Sequence, residues 1–545
     1  MSRHPRRTVR RGVRHRVAVL AALAVVAGCT SSQDDASGAD ESLSPDDVVE
    51  TVEVITQGGE VEARVHPLVA VDDYLVLTVD LEATSIAEGD DFGVPGNRFE
   101  GDATLTGSSF LPEEAAALRL VDSSAAQIHL PATDREGRPV GPETGTTGSY
   151  IPGSGFRVQR VYAAPPGDVE EIGLLLPSAY VDAVPVVAGD APPPVMDGQE
   201  TDSDDDAPAD IASQVDAISE APVLPLEGFT RQLEGSVEVI ESTEQLEIRL
   251  AGDVLFATGS AELTPAATQA IDAAVATIES YEGGTIDIVG HTDDVGDDAS
   301  NQVLSEQRAA SVSAALEAQV PSGDYDLKAE GRGETEPLLP NSSDENRQLN
   351  RRVTLTLTSE KTEQTEVATS GEIPPFKDGP LKDGAVADAS TGFERQVRDG
   401  LTYRVTAPAV RRVDGMLVVT VEAERLEDTP AQSNEPRISL STGVWSYRGS
   451  DTGYSANNAG FAPRILIGST AAYPLDYRLG DSAIEGDSEW RNASDTIAND
   501  FASGGDTVRF VALYRDIPGA ETITLEQPFV IGTAPWRLTD VPVEG

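Results

Sequence analysis

Cysteine is almost missing: the chain holds one, Cys29. That excludes an internal disulfide framework and any metal site made of several thiolates. Histidine is nearly as scarce. Beyond the N-terminal segment only His66, His129 and His291 remain, so no multi-histidine metal site is expected. Lysine stands only at 328, 361, 377 and 382, which leaves arginine to carry the positive charge. Against 39 basic residues there are 93 acidic ones, a net charge of −54. That sign excludes a general nucleic-acid binder, and such a surface repels anionic polymers. No apolar run approaches the ~20 residues needed to cross a bilayer as a helix. HExxH, nucleophile elbow, P-loop and Rossmann fingerprint are all missing, so neither an enzyme nor a cofactor is expected.

What is present begins with a targeting segment at 1–28. Arg3, Arg6, Arg7, Arg10, Arg11, Arg14 and Arg16 form a basic region, and Val17–Ala27 an apolar one. The sole cysteine follows at once, and Val26-Ala27-Gly28-Cys29 resembles a bacterial lipobox. The resemblance implies cleavage before Cys29 and acyl chains (diacylglyceryl, palmitate) on that residue. The expectation is a lipoprotein anchored outside the cytoplasm, on the outer face of a cell membrane or in an outer membrane. Residues 29–47 then read as an acidic tether.

Beyond the tether the chain reads as several domains. Residues 48–187 carry β-rich runs at Val61–Val65, Tyr74–Leu81, Ala117–Val121, Phe156–Tyr162 and Ile172–Leu176, cut by Gly, Pro and Asp. An antiparallel β-sandwich is the expectation there. Residues 188–234 read as a Pro/Asp-rich linker, and the run Asp202–Asp206 inside it as solvated charge, since it lacks the Gly and Glu of an EF-hand loop. Residues 235–359 read as an α+β domain of order β-α-β-α-β-β, a mixed sheet with its helices on one face. Residues 360–390 read as a second linker and 391–545 as a second β-sandwich. Trp445, Trp490 and Trp536 in that last stretch read as core anchors, and Asn492-Ala493-Ser494 as an idle sequon. An internal repeat joins the flanking domains. Val71-Asp72-Asp73-Tyr74-Leu75-Val76 matches Val413-Asp414-Gly415-Met416-Leu417-Val418, and Tyr162…Pro166-Gly167 matches Tyr514…Pro518-Gly519.

The stretch richest in chemistry is Gly290–Arg308. A β-branched strand, Thr285–Val289, runs into it, and helical period begins near Ala299. Leu304, Arg308, Val312 and Ala315 share one stripe, so Arg308 is expected to face the body of the domain. Asn301 is two turns earlier on nearly the same side, and Asp293 lies in the loop above. Two readings stand. Asp293 and Arg308 could look into one pocket and hold a ligand bearing an ammonium and a carboxylate on one carbon. Alternatively they simply pair with each other.

Leu255-Phe256, Gly259-Ser260-Ala261-Glu262-Leu263, Gly290-His291-Thr292-Asp293, Gly296, Asn301, Leu304-Ser305, Arg308-Ala309, Gly331-Arg332-Gly333-Glu334, Pro337 and Asn350-Arg351-Arg352-Val353 stand in the order of OmpA-like C-terminal domains. Residues 235–359 thus resemble the peptidoglycan-binding module of OmpA, peptidoglycan-associated lipoproteins and flagellar stator proteins. The resemblance implies non-covalent binding of the meso-diaminopimelate of the wall stem peptide. Asp293 would take its ammonium and Arg308 its carboxylate, with Asn301 and Thr292 lining the pocket. His291, Asn350 and Arg352 would support it, His291 by hydrogen bonding within the loop. One departure is visible: Ala257 stands where many members carry Asp or Asn.

Two functions follow as expectations. The first is a lipid-anchored tether between membrane and wall. The alternative is an envelope scaffold whose β domains bind a partner protein or glycan while the central domain only localises it.

Overall fold

The computed structural model describes residues 43–56, 59–86, 94–95, 118–141, 149–150, 155–194, 211–242, 245–281, 283–321, 323–358, 381, 384–398, 401–427, 463–481, 488–493, 507–527 and 535–545. The segment 1–28 with Cys29, the run Asp202–Asp206, Trp445 and Ser494 of the sequon lie outside the described residues, as does the side chain of Trp490. No described helix is long and apolar enough to cross a membrane.

The central module is built on strict alternation. Leu246, Ile248 and Leu250 of the strand Leu246–Ala251 are buried, as are Val353, Leu355 and Leu357 of Arg352–Thr358 and Ile286 and Ile288 of Gly284–His291. Because side chains alternate between faces, these residues make one apolar surface. Two helices cover it: α2 (Ala267–Ile278) through Ile271, Val275 and Ile278, and α3 (Asp298–Glu317) through Ala309, Val312 and Leu316. Thr264 caps the entry to α2, its Oγ1 accepting from Ala267 N at 3.2 Å. The sheet runs Tyr325–Gly333, Gly284–His291, Arg352–Thr358, Leu246–Ala251, Val237–Glu241, with only the first two strands parallel. Two short helices complete the module: α1 (Gly252–Leu255) and α4 (Asp344–Asn350), the latter in what reads from sequence as a polar loop.

The flanking β segments share one strand order. In the N-terminal half it is Glu50–Thr56, Gly59–Val65, Tyr74–Ile86, Leu68–Val71, Ala179–Val187, Glu171–Leu176, Arg119–Asp122, Gln127–His129, with Gly155–Ala163 also on Tyr74–Ile86. In the C-terminal half it is Phe393–Arg398, Leu401–Thr406, Met416–Arg425, Val410–Val413, Trp536–Glu544, Thr522–Gln527, Arg464–Ile467, Thr470–Ala472, with Thr507–Arg515 on Met416–Arg425. The details repeat as well. Both hairpins turn through a left-handed aspartate, Asp72 at φ 51° and Asp414 at φ 40°. Tyr162 donates to the Leu118 carbonyl, and Tyr514 to that of Pro463. The buried ion pair Asp80–Arg157 recurs as Glu422–Arg509. Trp536 is fully buried among the C-terminal apolar residues.

Three expectations are corrected. Each half holds a parallel pair, Val186–Val187 on Leu68–Val69 and Val410–Arg411 on Val543–Glu544, so neither sheet is purely antiparallel. A long excursion separates the paired strands, which is what parallel pairing requires.

The segment 188–234 is not a linker throughout. Ile211–Ala217 is a short 3-10 helix, and the residues after it give one strand to each half in succession: Val223–Pro225 pairs with Gln127–His129, and Gly228–Gln232 with Thr470–Ala472. Likewise Ala385–Asp388, within the expected linker 360–390, is a strand on Trp536–Glu544.

Nor are the two halves separate beads. Val121, Leu175 and Tyr180 of one share a buried cluster with Met416, Val418 and Leu513 of the other, and Leu226 of the intervening segment joins them. Arg411 pairs across this contact with Asp182. The apolar faces concerned are extra to each half's own core, so burying them together is the favourable arrangement.

Candidate functional site

The site forms where Gly284–His291 ends and α3 begins. Asp297, extended at φ −109°, caps the helix by accepting from Ser300 N at 3.1 Å. Two glycines let the helix lie against the sheet. A Cβ on Gly290 would meet the Ser305 carbonyl oxygen at 2.2 Å, and one on Gly331 would meet Ser305 Oγ at 2.3 Å. That contact draws the Ser305 face inward, and Ser305 Oγ accepts from Gly333 N at 2.9 Å. The inward stripe is accordingly Asn301, Ser305, Arg308, Val312; Leu304 is half-buried.

Arg308 is only 4% exposed. Its Nε donates to the Ser260 carbonyl at 3.0 Å, and its guanidinium lies 5.1 Å from the Phe256 ring centroid. Among the described residues it has no ion-pair partner within 4.0 Å and no acceptor for its terminal nitrogens. Burial lowers its pKa, opposed by the charges of Asp253 and Asp293.

Asp293 is 8% exposed and lies in the loop, where Oδ1 accepts from Val295 N at 3.2 Å. Its partner is not Arg308. Arg351 Nη1 holds Oδ2 at 2.6 Å, while Arg351 Nε and Nη2 grip the Asp253 carboxylate at 2.8 and 2.7 Å. These two hydrogen-bonded carboxylates raise the Arg351 pKa further. The simple Asp293–Arg308 ion pair is thereby corrected: a second arginine has satisfied the acid and left Arg308 over. The four groups form two acids and two bases, with one base unengaged.

The other expected residues surround this set. Asn301 Nδ2 donates to the carbonyls of Asp293 and Val295, both at 3.3 Å, and to Glu334 Oε2 at 2.6 Å. It holds the loop in shape. Arg347 Nε, from α4, braces the same loop at Asp294 Oδ1, 2.9 Å away. Thr292 is buried; its N donates to the Gly333 carbonyl at 2.9 Å, and its Oγ1 has no partner among the described residues. Asn350 closes the 339–341 turn, bonding both polar groups of Leu339.

His291 corrects an expectation. Among the described residues its ring makes no hydrogen bond, and Nδ1 is buried without a partner. Burial first, then Arg352, Arg332 and Arg249, pull its pKa down to about 3, so it packs as a neutral ring. Arg352 stands apart from Asp293, its terminal nitrogens near the carbonyls of Asn350 and Glu336 at 3.4 Å.

An acid and an unengaged guanidinium, both buried and both fixed from behind, suit a small zwitterion. Residues 255–351 match the OmpA family. The chain is 30% identical over 118 residues to the outer-membrane lipoprotein YfiB of Pseudomonas aeruginosa, covering 22% of this chain and 69% of that one. The chain belongs to the OmpA family. It is also 38% identical over 98 residues to outer membrane protein A of Klebsiella pneumoniae, 17% of this chain and 28% of that one. A solved structure titled the cell wall anchor of the T6SS from Pseudomonas aeruginosa is 28% identical, covering 23% of this chain and 89% of that chain at a TM-score of 0.21. For most of its curated relatives the chain spans about half their length or less.

Within the OmpA-family module, the sequence reading missed Asp253 and the part played by Arg351. Asn350-Arg351-Arg352 sets two arginines side by side, and nothing in the string says which reaches Asp293. Asp253 comes beside Arg351 because Gly252 N donates to the Arg351 carbonyl at 2.8 Å, a contact between distant parts of the chain that has no local signature.

Proposed function

We propose that the protein is a non-catalytic envelope lipoprotein that binds peptidoglycan through the meso-diaminopimelate of its stem peptide. The observation that carries the reading is the unengaged, buried Arg308 beside the Arg351-held Asp293. A guanidinium in that position gains from a bidentate carboxylate, because its stem is buried and its Nε held while its terminal nitrogens have no acceptor among the described residues. The ammonium on the same carbon then falls toward Asp293, whose charge Arg351 only partly offsets, being shared with Asp253. Membership of the OmpA family supports the reading, as does the lipobox-like sequence ending at Cys29. Acylation there would tie one end of the chain to a membrane while the module holds the wall. Many anchored copies facing one polymer make modest single-site affinity sufficient.

A pull-down on purified diaminopimelate-type sacculi tests this. The wild-type chain is expected to be retained, and Asp293→Ala and Arg308→Ala to be washed off. Equal retention of all three would reject the pocket.

A further inference from the structure

Arg351 borders a second cleft, of about 400 Å³, between the strands of the 228–251 hairpin region and the 338–352 segment with α4. Four arginines line it, Arg231, Arg249, Arg351 and Arg352, against two glutamates, Glu238 and Glu345. In a chain of net charge −54 that local surplus is an exception. Arg231 pairs with Glu238 at 3.4 Å and Arg351 is held by its two aspartates. Arg249 binds Glu247 through Nε, but its Nη1 is buried without an acceptor among the described residues. Arg352 has no carboxylate within 4.0 Å among the described residues, and its Nε is also buried without a partner.

The two arginines are diagonal neighbours on paired strands, Arg249 opposite Thr354 and Arg352 opposite Ala251, where like charges destabilise. Burial and then Arg249 lower the Arg352 pKa to about 10. A group of this kind is relieved by an anion. Most of the wall of this cleft comes from residues outside the stretch that matches the OmpA family, Arg231, Glu238, Arg249 and Arg352 among them.

We propose that this cleft is a second anion subsite, taking the free α-carboxylate of the γ-linked glutamate next to diaminopimelate in the stem peptide. The proposal rests on the diaminopimelate reading. A γ-linkage leaves that α-carboxylate uncommitted one residue from the zwitterion. Arg351 borders both sites, so one short peptide can span them. Leu338 and Leu349 in the cleft wall give its methylenes apolar contact.

The test uses the full mature chain and two synthetic tripeptides, L-Ala-γ-D-Glu-meso-diaminopimelate and its glutamate α-amide, compared by calorimetry. The amide is expected to bind wild-type protein about tenfold more weakly, one charge-assisted contact being worth roughly that. In Arg352→Gln and Arg249→Gln, both checked for native melting, the two peptides should bind alike. Equal binding of acid and amide to wild type overturns the subsite, as does a tenfold gap that persists in both variants. Inorganic phosphate bound in the cleft with no effect of amidation would overturn the carboxylate in favour of a phosphate-bearing ligand. Failure of the diaminopimelate reading looks different: neither tripeptide binds, nor does free diaminopimelate, and both proposals fall.

Discussion

Asp293 and Arg351 are joined by a 2.6 Å ion pair, so the carboxylate that resembles a ligand-binding acid is already held by a guanidinium. Arg351 divides itself between that acid and Asp253, gripping the latter by two nitrogens. The arrangement fixes the loop acid without drawing on Arg308, whose Nε is held by the Ser260 carbonyl.

Arg351→Gln would leave Asp253 and Asp293 without their hydrogen-bonded guanidinium, with only Arg308 near by to offset their charge. A loss of about 1–3 kcal/mol is expected from leaving hydrogen-bonded, partly buried carboxylates unpaired. Urea unfolding with an unchanged m value measures it. An unaltered midpoint would mean that Arg351 does not hold the two acids.

Gly290→Ala tests the contact that sets the depth of Arg308. A methyl there would overlap the Ser305 backbone oxygen, which cannot move without α3. The expected cost is about 1–3 kcal/mol of overpacking, with wall binding weakened because Arg308 shifts with its helix. Thermal melting and sacculus retention read the two effects separately.

His291 makes a prediction about pH. Its folded pKa, about 3, lies below the unfolded value of 6.5, so the unfolded chain takes up the proton first as pH falls. Its contribution to stability is therefore complete above pH 6.5 and is lost progressively between about 6.5 and 3. The slope over that window is ~1.4 kcal/mol per pH unit for one proton. Asp80, lowered to about 2 by its hydrogen bonds to Arg157 and His66 against its burial, loses its own contribution only from about pH 3.8 downward. His129, also lowered by burial, adds a slope of the same sign, so chemical denaturation of His291→Asn should show a shallower slope between pH 6 and 4 than wild type; a slope equal to wild type would contradict the assignment.

Leu513→Ala addresses the contact between the flanking halves. Leu513 is fully buried in the cluster that Val121, Leu175 and Tyr180 share with it. A loss of about 2–5 kcal/mol is expected, felt by both halves. Calorimetry should show both β halves melting earlier together. A shift confined to the C-terminal half would argue against a shared core.

Much of the central module is legible in its sequence, because alternation in Leu246–Leu250 and helical period in Ile271–Ile278 are local signals that the sheet and α2 obey. The repeat was legible too, since two-residue turns with a left-handed Asp carry a short-range signature. What was hidden depends on contacts distant along the chain. Nothing in 211–232 says that one strand will close the N-terminal sheet and the next the C-terminal one. Helical period alone puts Leu304 on the inward stripe where the structure has Ser305, since the glycines that draw Ser305 inward lie on strands. His291 looked like a hydrogen-bonding residue by type, but three surrounding arginines and burial make it a packed neutral ring.

The central claim is that Arg308 waits for a carboxylate beside an ammonium-binding acid, and calorimetry with two small molecules tests it most directly. In the tripeptide L-Ala-γ-D-Glu-L-Lys the lysine keeps a side-chain ammonium, but the carbon that bears it carries no carboxylate, unlike diaminopimelate. The account predicts that the meso-diaminopimelate tripeptide binds the wild-type chain, that the lysine tripeptide binds at least about tenfold more weakly, and that Arg308→Lys erases the difference. Equal binding of the two tripeptides by the wild-type chain, or a preference untouched by Arg308→Lys, would contradict it.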